Sequence, residues 1–380
     1  MSVPSVYTLS TDFHDLSIKE DLSSADEQII LKVTREIKAG KTCSEALRGL
    51  PADFFLDKNQ ERAKKVFSFA LGEILGNEVF FPTSSLPHSI SLQGVNDIEA
   101  VSGSIDHSIF RLCSTQGVQN DIPKSSCDNH HIHVYQVASQ YNCSEAPSPF
   151  TPPVGEAMLC SEHDRTQGPL AQRTNPAAFE LVTAFLTHLG FNMLENVLPK
   201  EWNTYTEESP VVHGYLRPNN QNLDRMVNEF EDHFQKLESV CYGSAVKNWV
   251  DSSRVANTVY ILLQAAPAIG YCNRDIDPEE TQDLQKLAAF ANYVALFNAG
   301  IQLAKQHQKP VVLHATAVGG GVFQNQTPYI QFGFEKAALI LQKQMKEVGA
   351  MVQLEAFRNT GVVKEMADRL KISSGKRIGE

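Results

Sequence analysis

A run of aliphatic residues ends in three consecutive glycines at Val311-Val312-Leu313-His314-Ala315-Thr316-Ala317-Val318-Gly319-Gly320-Gly321-Val322-Phe323-Gln324-Asn325. Residues without a Cβ let several backbone N–H groups turn toward one point and approach a ligand closely, the geometry that cradles a diphosphate. No Gly-Lys-Ser/Thr follows, so the segment is not an ATPase P-loop, and the spacing is not GxGxxG. Without a ligand, the same glycines are a flexible strand-to-helix connector.

A second polar break occurs at Gln136-Val137-Ala138-Ser139-Gln140-Tyr141-Asn142-Cys143-Ser144-Glu145. Gln140 and Asn142 carry amides able to hold a ribose hydroxyl or a base edge, although an Asn there also suits a turn. Further on, Asp164-Arg165-Thr166-Gln167-Gly168-Pro169 packs donors and acceptors around a glycine. Breaking a ribosyl bond passes through an oxocarbenium-like state and calls for a carboxylate to stabilise the cation, activate water, or both. The loop acids available are Glu145, Asp164, Asp275, Asp277 and Asp283. Each also has a plain reading as a solvated loop acid or helix cap, and Asp283 sits where a helix dipole alone favours a carboxylate. His131 and His133 share a strand face but lack a third ligand at suitable spacing, so no metal site is read. His314 reads as a satisfied core histidine.

The elements that must position these groups follow from periodicity. A capping-box spacing begins at Ser24 and precedes a helix ending near Gly40. A second amphipathic segment spans 59–75, so residues 1–88 read as an N-terminal helical extension. Short β-like runs at 89–92, 98–102 and 108–112 precede a stronger strand at 131–139. Residues 143–175 are rich in Pro, Ser, Thr and Gly and form a long loop, while 177–190 and 223–237 are helical, an insertion around 177–240. The last third alternates as strand 258–265, helix 281–307, strand 310–315, helix 329–348 and strand 351–357. That order predicts an α/β domain over 89–380, a mixed sheet flanked by helices.

Composition narrows the function. The formal net charge of −11 argues against a nucleic-acid partner. No uninterrupted apolar run reaches the roughly 18 residues that span a bilayer, so no membrane partner is expected. The N-terminus has no basic region followed by an apolar one. The seven cysteines are scattered without a CxxC pair, which suits a reducing cytosol.

The Gln140-Tyr141-Asn142 loop after one strand and the Gly319–Asn325 loop after another resemble a macrodomain. The loop beginning Gln136-Val137-Ala138-Ser139-Gln140-Tyr141-Asn142 is similar to a divergent, poly(ADP-ribose) glycohydrolase-like branch. The resemblance covers roughly 131–357 and implies a macrodomain-like fold without a cofactor. It implies removal of ADP-ribose from modified protein, including arginine-linked ADP-ribose on ubiquitin, by a branch that includes a translocated effector acting in host cytosol. In that reading the amides of Gly319, Gly320, Gly321, Val322 and Phe323 hold the diphosphate, with Asn325 closing the loop. Asn142 meets the distal ribose with Phe323 packed on it, and Gln140, Thr166, Gln167 and Gly168 complete the binding set. Catalysis would fall to one of Asp164, Asp275, Asp283 and Glu145. The branch carries Gln-Glu-Glu in its first loop and this sequence does not, so a non-catalytic ADP-ribose reader is the alternative.

Overall fold

The computed structural model describes residues 23–39, 41, 46, 64–66, 68–70, 72, 79–143, 167–172, 174, 191–202, 210–245, 257–272, 276–358 and 361–378. Along the chain these include α1 (Ser24–Lys38), β1 (Val79–Phe80), α2 (Val95–Ala100), β2 (Phe110–Thr115), α3 (Val118–Ser125), β3 (Ile132–Ala138) and α4 (Gln167–Gln172). A hairpin of β4 (Val211–Val212) and β5 (Tyr215–Leu216) follows, then α5 (Leu223–His233), β6 (Val240–Ala245) and β7 (Thr258–Gln264). The chain finishes through α6 (Gln282–His307), β8 (Val311–Ala315), α7 (Thr327–Glu347), β9 (Ala350–Phe357) and α8 (Gly361–Arg369).

Seven strands form one mixed sheet in the order β1-β6-β7-β3-β8-β9-β2. β7, β3, β8, β9 and β2 are mutually parallel, while β6 and β1 add antiparallel strands at one edge. The expected mixed α/β sheet flanked by helices is what the chain adopts. Strands β3 and β8 are buried nearly throughout, polar residues included, as parallel strands covered on both faces are. Alternation places Gln136 toward α6 and Tyr135 toward α3, on opposite faces.

Helix α6 is apolar all round and long enough by composition to cross a membrane, yet 89% of its most apolar window is buried inside the fold. It is a core helix. α7 crosses it at Gly333, where an added Cβ would lie 2.5 Å from the α6 backbone at Ala289 and Phe290. Only a glycine permits that approach.

Several expectations shift. The cap of α1 is Ser23, whose hydroxyl accepts from Asp26 N–H at 3.1 Å, one residue earlier than the Ser24 spacing suggested. The run at 98–102 is mostly helix α2 rather than strand, and 89–92 is irregular. Within the segment expected as a loop, residues 167–172 form a helix, and the insertion around 177–240 contains the β4–β5 hairpin beside α5. The helix expected over 177–190 lies outside the described residues. β1 lies inside the segment expected as an N-terminal extension but pairs with β6 in the main sheet. Ile30 and Val33 of α1 and Val66 and Ala70 are buried in the same hydrophobic cluster as the sheet. Lys64 Nζ meets Glu238 Oε1 at 2.6 Å.

Candidate functional site

The carboxyl ends of β3, β7 and β8 lie side by side at the centre of the sheet, with β3 between the other two. The chain leaves β3 toward one side and reaches β8 on the other, and such a switch point opens a crevice beyond the strand ends. Buried amides fix these ends in place. Gln136 Nε2 donates to Gln264 Oε1 at 2.6 Å, and Gln136 Oε1 accepts from the Thr316 N–H at 2.8 Å. Gln264 Nε2 in turn donates to the Asn292 carbonyl at 2.8 Å, Asn292 Nδ2 donates to the Ala265 carbonyl at 2.7 Å, and the Tyr293 hydroxyl donates to the Thr316 carbonyl at 2.8 Å. One face of α6 thus holds the roots of two loops. A buried polar network of this kind, with each link made, rigidifies what it joins.

From β8 the chain turns into the glycine loop. Gly319 adopts φ +86, and a Cβ there would lie 2.6 Å from the Ala266 side chain and 2.8 Å from Asn325 Nδ2. Both conformation and space therefore select glycine. Asn325 is buried and clamps the loop: its N–H donates to the Gly319 carbonyl at 2.9 Å and its side-chain amide to the Pro267 carbonyl at 2.6 Å. Gly320 N–H is spent on the Ala317 carbonyl at 3.0 Å, and Gln324 N–H on Gly321 at 3.0 Å. No protein acceptor meets the N–H groups of Gly319, Gly321, Val322 and Phe323 among the described residues. A Cβ at Gly321 would meet nothing within 4 Å, and Val322 is 52% exposed. The three glycines are therefore not equivalent. Gly319 shapes the loop, a Cβ at Gly320 would lie 3.1 Å from Ile330 and 3.2 Å from Val362, and Gly321 opens to solvent.

Beside this loop stand three aromatic rings absent from the sequence reading as a set. Tyr215, from the β4–β5 hairpin, lies 5.7 Å from Phe323 and 5.6 Å from Tyr271, and Tyr271 lies 6.1 Å from Phe323. All three pairs are edge-to-face, the favoured geometry. Gly270 N–H donates to the Phe323 carbonyl at 2.9 Å, binding the turn after β7 to the glycine loop. Gln140 Nε2 donates to the Tyr215 hydroxyl at 2.9 Å. The β3 loop and the glycine loop are thereby joined through one tyrosine. Asn142 is only 6% exposed and packs against Gly214, so its amide is held within the loop scaffold. The buried hydroxyls of Ser139 and Tyr141 have no hydrogen-bond partner among the described residues.

The remaining expected site residues fall elsewhere. Gln167 and Gly168 open α4, which packs on β3 and α3. Glu145, Asp164, Thr166 and Asp275 lie outside the described residues. Asp283 occupies the first turn of α6 and pairs with Lys286 at 3.6 Å, which also meets Glu99 at 2.7 Å. Its placement matches the helix-dipole reading. One acid missed in the sequence stands next to the glycine loop's exit: Glu279 accepts from Gln326 Nε2 at 3.1 Å and from the Tyr329 hydroxyl at 2.5 Å. Burial and then this carboxylate push the Tyr329 phenol up to about 12. Its signal was its place between a buried strand and a long helix, in a Pro-Glu-Glu turn.

No protein-family model matches the sequence. No curated protein matches it either. Among solved structures, the chain is similar to poly(ADP-ribose) glycohydrolase from Deinococcus radiodurans in complex with ADP-ribose, at 13% identity and a TM-score of 0.36, covering 78% of this chain and 95% of that one. It is also similar to poly(ADP-ribose) glycohydrolase from Thermomonospora curvata, at 13% identity and a TM-score of 0.38, covering 92% of this chain and 100% of that one. The Thermomonospora curvata enzyme bound to the inhibitor ADP-HPD aligns at 13% identity and a TM-score of 0.37, over 91% of this chain and 100% of that one.

Proposed function

We propose that this chain binds ADP-ribose in the crevice at the ends of β3, β7 and β8 and hydrolyses its bond to modified protein. The observation that carries this reading is the open set of amides at Gly319, Gly321, Val322 and Phe323, beside an aromatic cluster and within reach of the Gln140 loop. Backbone donors held by a rigid root suit a diphosphate, and aromatic faces suit a ribose or a base. In the reaction, water adds at the anomeric carbon as the bond to the protein atom breaks, and the departing atom takes up a proton. A carboxylate beside the anomeric carbon supports the oxocarbenium-like state. Asp164, Asp275, Asp283 and Glu145 remain the acids proposed from the sequence, and Glu279 joins them from its place beside the loop exit.

The finer reading rests on sequence likeness of the Gln140 loop to the branch that includes the Legionella effector MavL. It makes arginine-linked ADP-ribose on ubiquitin the substrate and a host cell's cytosol the place of action. The missing Gln-Glu-Glu favours a second reading, a macrodomain-like reader that holds ADP-ribose without cutting it. Incubating the full chain with arginine-ADP-ribosylated ubiquitin and following ADP-ribose release separates the two. Release supports hydrolysis; tight binding without release from any linkage supports the reader.

A further inference from the structure

The sheet face away from α6 buries a line of ionisable groups that the proposed site does not use. Asp128 Oδ2 meets His133 Nε2 at 3.1 Å, His133 Nδ1 meets His314 Nε2 at 2.8 Å, and His314 Nδ1 meets Glu355 Oε1 at 2.7 Å. Their side chains are 5%, 1%, 0% and 5% exposed, so water does not complete the bonding.

Each contact requires one proton between its two atoms. A neutral imidazole carries a single N–H and a carboxylate carries none. Three contacts need three protons, and two neutral histidines supply two. The direction of the chain is fixed at its Asp128 end, because that carboxylate also receives the His130 N–H at 2.8 Å and His131 Nδ1 at 2.8 Å and acts as an acceptor. His133 therefore donates from Nε2 and accepts at Nδ1. His314 then donates from Nε2 and presents a bare Nδ1 to Glu355. Two lone pairs buried face to face would repel and leave both acceptors unsatisfied.

We propose that this relay is an occupied proton site, holding one proton beyond those of two neutral imidazoles, shared between His314 Nδ1 and Glu355 Oε1. Burial disfavours the charged form of both histidines, and the Arg377 cation adds to this at His314, so the added proton does not rest on a lone imidazolium. The groups facing the site from each packed element set its balance. Tyr135 of β3 stacks on His314 at 3.9 Å, and Arg377 of the C-terminal segment pairs with Glu355 Oε2 and, at 2.9 Å, with Asp121 of α3. Arg377 occupies the second carboxyl oxygen and leaves Oε1 to the histidine. Cys113 of β2 lies beside Arg377, and Lys124 of α3 acts on Asp121.

His314 lies on the strand that leads into the glycine loop, five residues before Gly319. In the unfolded chain glutamate and histidine titrate near 4.3 and 6.5, roughly, so at pH 7.5 unfolding releases the added proton. The test is proton release on urea unfolding of the full chain at pH 7.5, read with an indicator dye in weak buffer. Glu355→Gln closes the third contact with an amide N–H and needs no added proton. Wild type should release about one proton more than this variant; equal release overturns the proposal. His133→Gln both donates to Asp128 and accepts from His314, so it should release as much as wild type; release matching Glu355→Gln overturns the proposal. Should Glu355→Gln fail to fold, the wild-type unfolding constant should rise about tenfold per pH unit between 7 and 8, and a flat profile contradicts the proton site.

Discussion

Asn325 donates its side-chain amide to the Pro267 carbonyl at 2.6 Å, so a residue at the end of the glycine loop is tied to the exit of β7 rather than turned toward a ligand. The loop's shape depends on this link, because the same side chain sits against Gly319. Asn325→Ala leaves a buried carbonyl unpaired and should cost about 1–3 kcal/mol of stability. It should also weaken ADP-ribose binding without any lost direct contact. Urea unfolding and calorimetry on one preparation check both effects.

The glycines should separate on substitution. Gly319→Ala meets both the positive φ and the close Ala266 contact, and should destabilise by about 1–3 kcal/mol. Gly321→Glu has open space and should leave the thermal midpoint nearly unchanged, while its carboxylate crowds the free amides and abolishes ADP-ribose binding. If Gly321→Glu binds within about tenfold of wild type (~1.4 kcal/mol), the amides of that loop do not hold the diphosphate.

The hydroxyl of Tyr215 and its ring do different things. Tyr215→Phe keeps the edge-to-face contacts with Phe323 and Tyr271 and loses the bond from Gln140, about 0.5–1.5 kcal/mol. Tyr215→Ala removes the ring that joins the two loops and should cost about 3–5 kcal/mol. Binding should follow the same order.

Arg377 is buried between Asp121 and Glu355. Arg377→Met removes the cation that both Asp121 and Glu355 contact and should cost about 3–5 kcal/mol. The loss should shrink in the double variant that also carries Glu355→Gln, a coupling that unfolding measurements on the four proteins resolve.

Asp128 gives an acid limit. Burial alone would raise its pKa, but the His130 N–H and the rings of His131 and His133 hold the carboxyl down at about 2. A depressed carboxyl contributes stability above its unfolded value, near 4 (roughly), and loses it as the pH falls toward 2. Wild type should lose more stability than Asp128→Asn across that window, as measured by midpoint against pH.

The long elements were legible because their periodicity is strong. α6, α7, β7, β8 and β9 fall within two residues of where the pattern places them, and both polar loops emerge at one end of the sheet as their strands require. The strand over 240–245 was not read, because Gly243 and Ser244 interrupt its apolar run. Nor did the sequence show that Tyr215 would meet Phe323, since the pair is joined only by tertiary packing across 108 positions. Likewise, no local pattern distinguishes three adjacent glycines, whose roles diverge only once Ala266, Ile330 and Val362 surround them.

Titration calorimetry of the full chain with ADP-ribose tests the central claim most directly. The crevice at the ends of β3, β7 and β8 should give saturable one-to-one binding that Gly321→Glu eliminates. Absence of binding by a folded wild-type chain, or binding unchanged in that variant, would contradict it.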